Sequence, residues 1–383
     1  MTLRYLALAA LLLGCSVATA GAEPNAPAPS LAARLQAVLD RTAASDPTIP
    51  GVLLGISAPA LGVEWRGAAR GAGAGAAPLS PDQPFRIASI TKVYTAAAIF
   101  RLAEDGHLGI FDSIASHVGR ETLAALRSGG YDPEAITIQQ LLAHTSGLYD
   151  YAMDADYGAA VTANPQHRWT RSEQIAFAMS HGKPLGAPGE RYGYSDTGYV
   201  ILGEIIERAS GEPLAGALRR LLDFRGLGLR STYFESLEPA PRGALTRARQ
   251  SLGTTDVTGF DASFDLYGGG GLVSTTADLD RFFRALLQGR LFRHRETLAS
   301  ALMTIKLRHD PARRLDSNLL TTVPFGRRTC WGHGGFWGSA AIYCPDIDVA
   351  VSLSINQATP ADPEALHALV LAVATEIEHT EAR

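Results

Sequence analysis

Strand-forming segments occur near both ends of this chain, and a long stretch with a different pattern lies between them. Residues 52–57 and 62–67 read as two strands joined by a turn, and residues 339–343 and 349–355 read as two more. From about residue 107 to residue 255 the apolar positions recur mainly at helical spacing. Because strands do not alternate singly with helices, and no GxGxxG follows a strand, a parallel dinucleotide-binding fold is disfavoured.

The first residues predict export from the cytoplasm. Within residues 1–22, Arg4 supplies a positive charge and residues 5–13 form an apolar run too short to span a membrane. Residues 18–20 then offer the small side chains that signal peptidase requires. The Pro-rich segment 23–30 follows as a spacer. We therefore expect a signal peptide and a periplasmic or secreted protein.

The position of Cys15 leaves two routes of N-terminal processing open, lipidation and ordinary signal-peptide cleavage. Residues 12–15 are similar to a lipoprotein box, and lipidation of Cys15 would tether the protein to a membrane. Ordinary cleavage would instead remove Cys15 and leave Cys330 and Cys344. An even number of cysteines in an exported chain fits a disulfide, and the Gly-rich segment between these two could turn back as a hairpin.

Ser89 and Lys92 form an S-x-x-K sequence where a loop runs into a helix. Residues three apart lie on one helical face, so we expect the amine to point towards the hydroxyl. A serine hydroxyl needs a neighbour to take its proton, and a lysine in a semi-buried, cation-rich pocket can lose its own proton and serve. A second copy at residues 180–183 contains Gly182 and precedes Pro184, which breaks the helix.

Tyr194-Ser195-Asp196 follows a loop and precedes a helical run. In a functional interpretation the Tyr194 phenol moves protons, with its pKa lowered by nearby cations, and Asp196 holds Lys92 or a substrate amide. In a structural interpretation Asp196 only caps the helix. The segment also resembles a nucleophile elbow centred on Ser195, but the second glycine is one residue late and no strand precedes it.

His333-Gly334-Gly335 precedes a predicted strand. The two glycines allow a substrate to approach the backbone closely, and His333 could line a pocket wall. The N–H of Phe336 would form an oxyanion hole with the N–H of Ser89. The structural alternative is a glycine-rich hairpin with an exposed histidine.

Several other functions have no support. The formal net charge of -4 gives no reason to expect nucleic acid as a partner. The glycine run 268–271 lacks the Gly-Lys-Ser/Thr of a phosphate loop, and we expect it to let a chain pass close to another backbone. No H-E-x-x-H and no Cys/His cluster occurs, so we expect neither a metal nor another cofactor.

Taken in order, S-x-x-K, Tyr-Ser-Asp and His-Gly-Gly resemble the serine β-lactamase and D,D-peptidase superfamily. The relevant branch includes class C β-lactamases, exported D-alanyl-D-alanine carboxypeptidases, D-aminopeptidases and esterases. Residues 85–89, 138–148 and 270–275, with Asp278 and Leu279, are also similar to family segments, and the resemblance covers about residues 32–378.

The resemblance implies an α/β (α+β) fold in which an antiparallel sheet, built from both chain ends, is flanked by helices and carries a mostly helical insertion. Residues 31–383 would form this serine hydrolase domain. It also implies an acyl-enzyme mechanism on an amide or ester of a small molecule or peptide, as in a D,D-carboxypeptidase or esterase. Ser89 would attack, Lys92 and Tyr194 would move its proton, and the N–H groups of Ser89 and Phe336 would hold the oxyanion.

The chain departs from the family pattern at two motifs. Asp196 stands where the family usually has Asn, which adds negative charge beside Lys92. His333 stands where many β-lactamases have Lys, and Gly334 replaces a hydroxyl residue that could bind a substrate carboxylate. These departures argue against efficient β-lactam hydrolysis and weaken the case for a carboxylate-bearing substrate, while the choice between β-lactamase, peptidase and esterase stays open. A second hypothesis is a non-catalytic envelope protein that keeps the fold to bind penicillin or peptidoglycan.

Overall fold

A computed structural model describes residues 29–72, 79–307, 314–315, 317–358 and 364–382. The predicted signal peptide, Cys15 and residues 23–28 of the spacer lie outside the described residues. The helices, in chain order, are α1 Leu31–Ser45, α2 Thr91–Glu104, α3 Arg120–Ser128, α4 Ile138–Leu142, α5 Ala155–Ala163, α6 Arg171–His181, α7 Asp196–Ser210, α8 Leu214–Leu221, α9 Thr276–Leu287, α10 Arg295–Ala301 and α11 Ala365–Glu381.

The strands are short outside the main sheet. In chain order they are β1 Gly51–Ala58, β2 Val63–Arg70, β3 Phe85–Arg86, β4 Tyr233–Phe234, β5 Ser251–Leu252, β6 Thr255–Asp256, β7 Leu272–Ser274, β8 Ile305–Lys306, β9 Arg314–Leu315, β10 Thr321–Phe325, β11 Arg328–Gly335, β12 Ser339–Cys344, β13 Val349–Ser354 and β14 Gln357–Ala358. None of the helices in the described ranges is long and apolar enough to cross a membrane.

The main sheet is built from both ends of the chain. Its six strands run in the order β10-β11-β12-β13-β1-β2, and every neighbouring pair is antiparallel. The central pair joins β1 to β13, with Leu53 opposite Ser354 and Ile56 opposite Val351. The expected α/β (α+β) fold with this sheet is confirmed.

Helices cover both faces of the sheet, which explains why β1 reads as an almost continuous apolar run. Its alternate residues Val52 and Leu54 pack with Leu35 of α1 and Val373 of α11. Leu53, which points the other way, packs with the core formed by α2, α7 and α9. All eight residues of β1 are buried.

Local sequence signals set several helix starts. Thr137 and Gln140 form the predicted capping box of α4, and Thr275 accepts the Asp278 N–H at the start of α9. Helices α3 to α8 occupy the segment that the periodicity indicated, although the two-residue strands β4 and β5 also lie there. The segment between Cys330 and Cys344 turns back as the expected hairpin, formed by β11 and β12. The glycines around His333 lie within β11, which the sequence did not predict as a strand.

Cys330 of β11 and Cys344 of β12 form a disulfide, with Cα atoms 4.6 Å apart. Replacing both by Ala should lower the free energy of unfolding by about 3 kcal/mol, because the bond closes a short loop in the unfolded chain. Urea denaturation would measure the change. Wild-type protein assayed with a reductant should lose about as much stability as the double variant, and unchanged stability in both would contradict the expectation.

Candidate active site

Ser89 lies in a 3₁₀ turn, Ala88–Ile90, that runs directly into α2. Ala88 has a left-handed φ of 45°, a conformation that non-glycine residues rarely adopt. Such strain persists only where the surroundings hold it, and it occurs often at functional sites. The loop-to-helix junction that the sequence indicated is therefore a tight turn that presents the Ser89 hydroxyl.

The Lys92 ammonium is enclosed by oxygens. The side chain is 1% exposed, and Nζ donates to Ser89 Oγ at 3.0 Å, Asp196 Oδ1 at 2.5 Å and the Gly269 carbonyl at 2.8 Å. Burial favours the neutral amine, but attraction to the Asp196 carboxylate, with smaller contributions from Tyr194 and Asp265, outweighs it and raises the pKa of Lys92. The pocket is anion-rich rather than cation-rich, so Lys92 is a cation in the resting protein.

The Tyr194 phenol lies beside Lys92 and Ser89. Lys92 Nζ lies 5.0 Å from the centroid of its ring. Burial raises the pKa of Tyr194 to about 12, although the Lys92 charge and hydrogen bonds with Lys92 and Ser89 oppose this. The expectation of a lowered pKa is therefore wrong, because desolvation and the Asp196 charge outweigh the single cation.

Asp196 is the first residue of α7, but Ser195 is its cap. Ser195 Oγ accepts the Gly198 N–H at 3.3 Å, and Ser195 is 1% exposed. This assignment differs from the structural interpretation of Asp196 as a cap, and it leaves the Asp196 carboxylate free to pair with Lys92. A buried hydroxyl committed to a helix terminus is also poorly placed to act as a nucleophile.

The end of β11 approaches the turn that carries Ser89. A Cβ on Gly335 would lie 2.3 Å from the Ile87 carbonyl oxygen, so only glycine fits there. His333 Nδ1 lies 2.6 Å from the Gly334 carbonyl oxygen, and a carbonyl can only accept, so the Nδ1–H donates. Burial lowers the pKa of His333 to about 4. The imidazole is therefore neutral at physiological pH. The role of the Phe336 N–H in an oxyanion hole stays a prediction.

A cavity of about 360 Å³ opens beside Ser89. Most of its lining is apolar or aromatic, and Met153 and Phe336 are exposed, by 71% and 46%. The lining residues are Ser89, Ala152, Met153, Tyr157, Gly158, Val161, Thr162, Tyr194, Asp196, Leu252, Val257, Phe260, Phe264, Asp265, His333, Gly334, Phe336 and Trp337. Among the described residues of this lining, His333 is neutral and the charged groups are the carboxylates of Asp196 and Asp265.

Some residues of this site gave no sequence signal. Asp265 lines the cavity, and burial followed by the Asp196 charge raises its pKa to about 6. Asp150 Oδ1 accepts the Asp196 N–H at 3.1 Å. The glycine run contributes the Gly269 carbonyl to Lys92, in keeping with the close backbone approach expected of it. Only the glycine run stood out in the sequence, because isolated acidic residues carry no spacing pattern.

The second S-x-x-K copy is not assembled in the same way. Helix α6 ends at His181, and Gly182 is its C-cap. Lys183 therefore lies beyond the helix, as expected from Gly182 and Pro184. Within the described part of the chain, no group of three or more His, Cys, Asp or Glu residues is placed to hold a metal ion.

Comparisons with known proteins agree on one family. The Beta-lactamase family model matches residues 39–376. The fold is similar to that of a D-stereospecific amidohydrolase from Streptomyces sp., with 26% identity, a TM-score of 0.74, and 89% of this chain and 98% of that chain covered. It is also similar to D-amino acid amidase from Ochrobactrum anthropi SV3, with 25% identity, a TM-score of 0.71, and 90% and 99% covered.

A curated relative matches a smaller region. Penicillin-binding protein 4* from Bacillus subtilis is 32% identical over 166 residues, which are 42% of this chain and 33% of that protein. The match thus spans about a third of the relative's length. The structural neighbours are hydrolases, which supports an enzyme over the non-catalytic alternative.

Replacing Asp196→Asn should make Ser89 reactive at lower pH. The Asp196 charge raises the pKa of both Lys92 and Tyr194, so its removal eases proton loss from either group. We expect the pH at which the labelling rate rises to be lower by about 1–3 pH units in the variant. The Asn side-chain oxygen would still accept a hydrogen bond from Lys92. Fluorophosphonate labelling across a pH series would measure this, and an unchanged or upward shift would contradict it.

Proposed function

The chain belongs to the Beta-lactamase family, and from that premise we propose that it cleaves amides or esters whose acyl part is apolar and carries no carboxylate. Its family and its structural relatives support a serine hydrolase. The observation that supports this substrate preference is the position of Ser89 Oγ. It accepts a hydrogen bond from Lys92 at the wall of a largely apolar cavity, whose described charged groups are Asp196 and Asp265.

The charge of the cavity argues against substrates with a free carboxylate. Asp196 and Asp265 line it, and each would repel a substrate anion. Lys92 neutralises Asp196, its ion-pair partner, but it leaves Asp265 unbalanced. Its three ammonium hydrogens are already donated, so it offers no free donor to a substrate carboxylate. Gly334 offers no hydroxyl. A D,D-carboxypeptidase or β-lactamase acts next to such a carboxylate, so we favour an amidase or esterase over the carboxypeptidase expectation.

The lining also supports an apolar acyl group. Apolar and aromatic side chains in the wall include Tyr157 and Val161 from α5 and Phe260 and Phe264 from the segment before the glycine run. Burying one aromatic side chain is worth about 1.5–3 kcal/mol. The names of the two solved relatives, a D-stereospecific amidohydrolase and a D-amino acid amidase, make an aromatic D-amino acid amide the first substrate to test.

In the mechanism that we propose, the Ser89 oxygen bonds to the substrate carbonyl carbon while its proton leaves through Lys92 or Tyr194. Both groups hold their protons at rest, so the reaction proceeds from the small fraction of molecules in which one has lost a proton. The N–H groups of Ser89 and Phe336 would hold the oxyanion. The amine or alcohol departs with a proton, and water then breaks the Ser89 ester to release the acid.

Ser89→Ala should abolish labelling by a fluorophosphonate probe and hydrolysis of a p-nitrophenyl ester. A matched control is Ser180→Ala, which removes the serine of the unassembled S-x-x-K copy on the exposed end of α6. The control should label and turn over like wild type. Equal labelling of Ser89→Ala and wild type would remove Ser89 from the mechanism, and labelling of wild type without turnover of any ester or amide would contradict the proposed activity.

Three p-nitroanilides of nearly equal size would test the charge preference. Their acyl groups are 3-phenylpropanoyl (neutral), D-phenylalanyl (cationic) and the benzylmalonyl half-amide (anionic). We expect kcat/KM to be lowest for the anion, because its carboxylate would face Asp265. Asp265→Asn should reduce the ratio of kcat/KM for the cationic anilide to kcat/KM for the anionic anilide about tenfold, equivalent to about 1.4 kcal/mol.

The matched control is Asp156→Asn, which removes the same charge from an exposed position on α5 outside the cavity lining. It should leave the ranking of the three anilides unchanged. Fastest cleavage of the anionic anilide by wild type would reject the charge argument. An equal change in both variants would show that net charge, rather than the cavity, sets the preference.

A further inference from the structure

His144 contacts three consecutive residues of the segment that carries Tyr194. Its carbonyl accepts the Gly193 N–H at 2.9 Å, and its ring Nδ1 accepts the Ser195 N–H at 3.1 Å. Between these two bonds the imidazole stacks on the Tyr194 ring, with centroids 4.3 Å apart and planes 24° from parallel. One residue thus holds the backbone on both sides of Tyr194 and one face of its ring.

We propose that His144 is a positioning residue that fixes the Tyr194 phenol against Ser89 and Lys92. This inference rests on one of the two routes in the proposed function, the route in which the Ser89 proton leaves through Tyr194 rather than Lys92. A phenol without such support could rotate about its side-chain bonds, and a displacement of about 1 Å at a reacting group can cost on the order of 100-fold in rate.

The conformation of His144 indicates that the contact is structurally enforced. Its φ is 56°, in the left-handed region, although it is not glycine. The turn is held because the Thr145 N–H donates to Gln140 at 2.9 Å and the Thr145 carbonyl accepts from Gly189 at 2.7 Å. A strained residue persists only when its surroundings determine it, and here they direct the imidazole onto Tyr194.

The hydrogen bond also determines the charge and tautomer of the ring. Nδ1 accepts a hydrogen bond from a backbone amide, so it carries no proton and the proton lies on Nε2. Burial, followed by the positive charge of Lys92, lowers the pKa of His144 well below its ordinary value. The imidazole ring is therefore neutral, and it adds no charge to the ion pair formed by Lys92 and Asp196.

Other titratable groups face the same rings from the neighbouring elements. They are Lys92 from α2, Asp196 and Tyr199 from α7, Tyr192 from the preceding loop and His333 from β11. Because each of these would remain in a His144 variant, a change in reactivity after substitution reports the lost contact with Tyr194 rather than a lost charge.

Two substitutions separate the contacts. His144→Asn keeps a short side-chain acceptor and tolerates the left-handed φ, but it removes the ring. His144→Phe keeps the ring but removes the acceptor for Ser195. As a control, His181→Asn removes an exposed histidine that stacks on Phe177 at the end of α6, away from the cavity lining.

The decisive measurement is a double-mutant cycle with Tyr194→Phe, scored by the rate of fluorophosphonate labelling of Ser89 in the full chain. We expect His144→Asn to slow labelling about 10- to 100-fold alone and less than about threefold in the Tyr194→Phe background. His144→Phe should be less damaging than His144→Asn, and His181→Asn should label like wild type.

The outcomes are distinguishable. Equal slowing by His144→Asn in both backgrounds would show a general structural effect and overturn the inference, as would wild-type labelling by this variant. If His144→Asn fails to fold in thermal denaturation, the same cycle is scored with His144→Phe. If Tyr194→Phe labels like wild type, the role of Tyr194 in the proposed function fails. If wild type labels but hydrolyses no ester or amide, the proposed activity fails while the cycle still decides the role of His144.

Discussion

The ammonium group of Lys92 is held between three oxygens that come from three separate parts of the chain. Ser89 precedes it by one turn, Asp196 begins α7, and Gly269 belongs to the glycine run before β7. A buried charge that loses its partner costs about 3–5 kcal/mol, so the fold must bring these segments together whenever α2 is buried. The hydroxyl, the helical region and the glycine run are therefore positioned by one cation.

That arrangement depends in turn on the sheet. Strand β11 ends where Gly335 meets the Ile87 carbonyl, so the strand and the Ser89 turn form adjacent walls of the cavity. The disulfide joins β11 to β12 at the other end of the same strand. Because β12 and β13 continue the sheet to β1, residues from both ends of the chain determine the position of the wall that carries His333.

The sequence was informative where a signal is local. The three-residue spacing of Ser89 and Lys92, the capping box at Thr137 and the apolar run of β1 each express a rule about neighbouring residues. Strand β11 was missed because its glycines and His333 give no alternating apolar pattern, and pairing with β10 and β12 supplies what the pattern lacks.

The sequence predicted which residues meet at the site better than it predicted their pKa values. The direction of the Tyr194 pKa was wrong because desolvation depends on how deeply a group is enclosed, and the sequence does not report enclosure. Asp265 and Asp150 approach Asp196 only through tertiary folding. His144 lay inside a segment that resembled the family, yet its stacking on Tyr194 joins residues 50 apart and has no local signature.

The two departures from the family pattern act in the same electrostatic direction. Where many β-lactamases have a lysine, His333 has a pKa of about 4 and supplies no cation. Where the family usually has an asparagine, Asp196 adds an anion that Lys92 is committed to neutralising. Relative to such a β-lactamase, the site therefore loses one positive charge and gains one negative charge. A unit charge about 4 Å from a substrate carboxylate would change its energy by about 4 kcal/mol at an effective dielectric constant of about 20. In the proposed function, this difference in charge disfavours acyl groups that carry a carboxylate, with the positions of Ser89 and Lys92 unchanged.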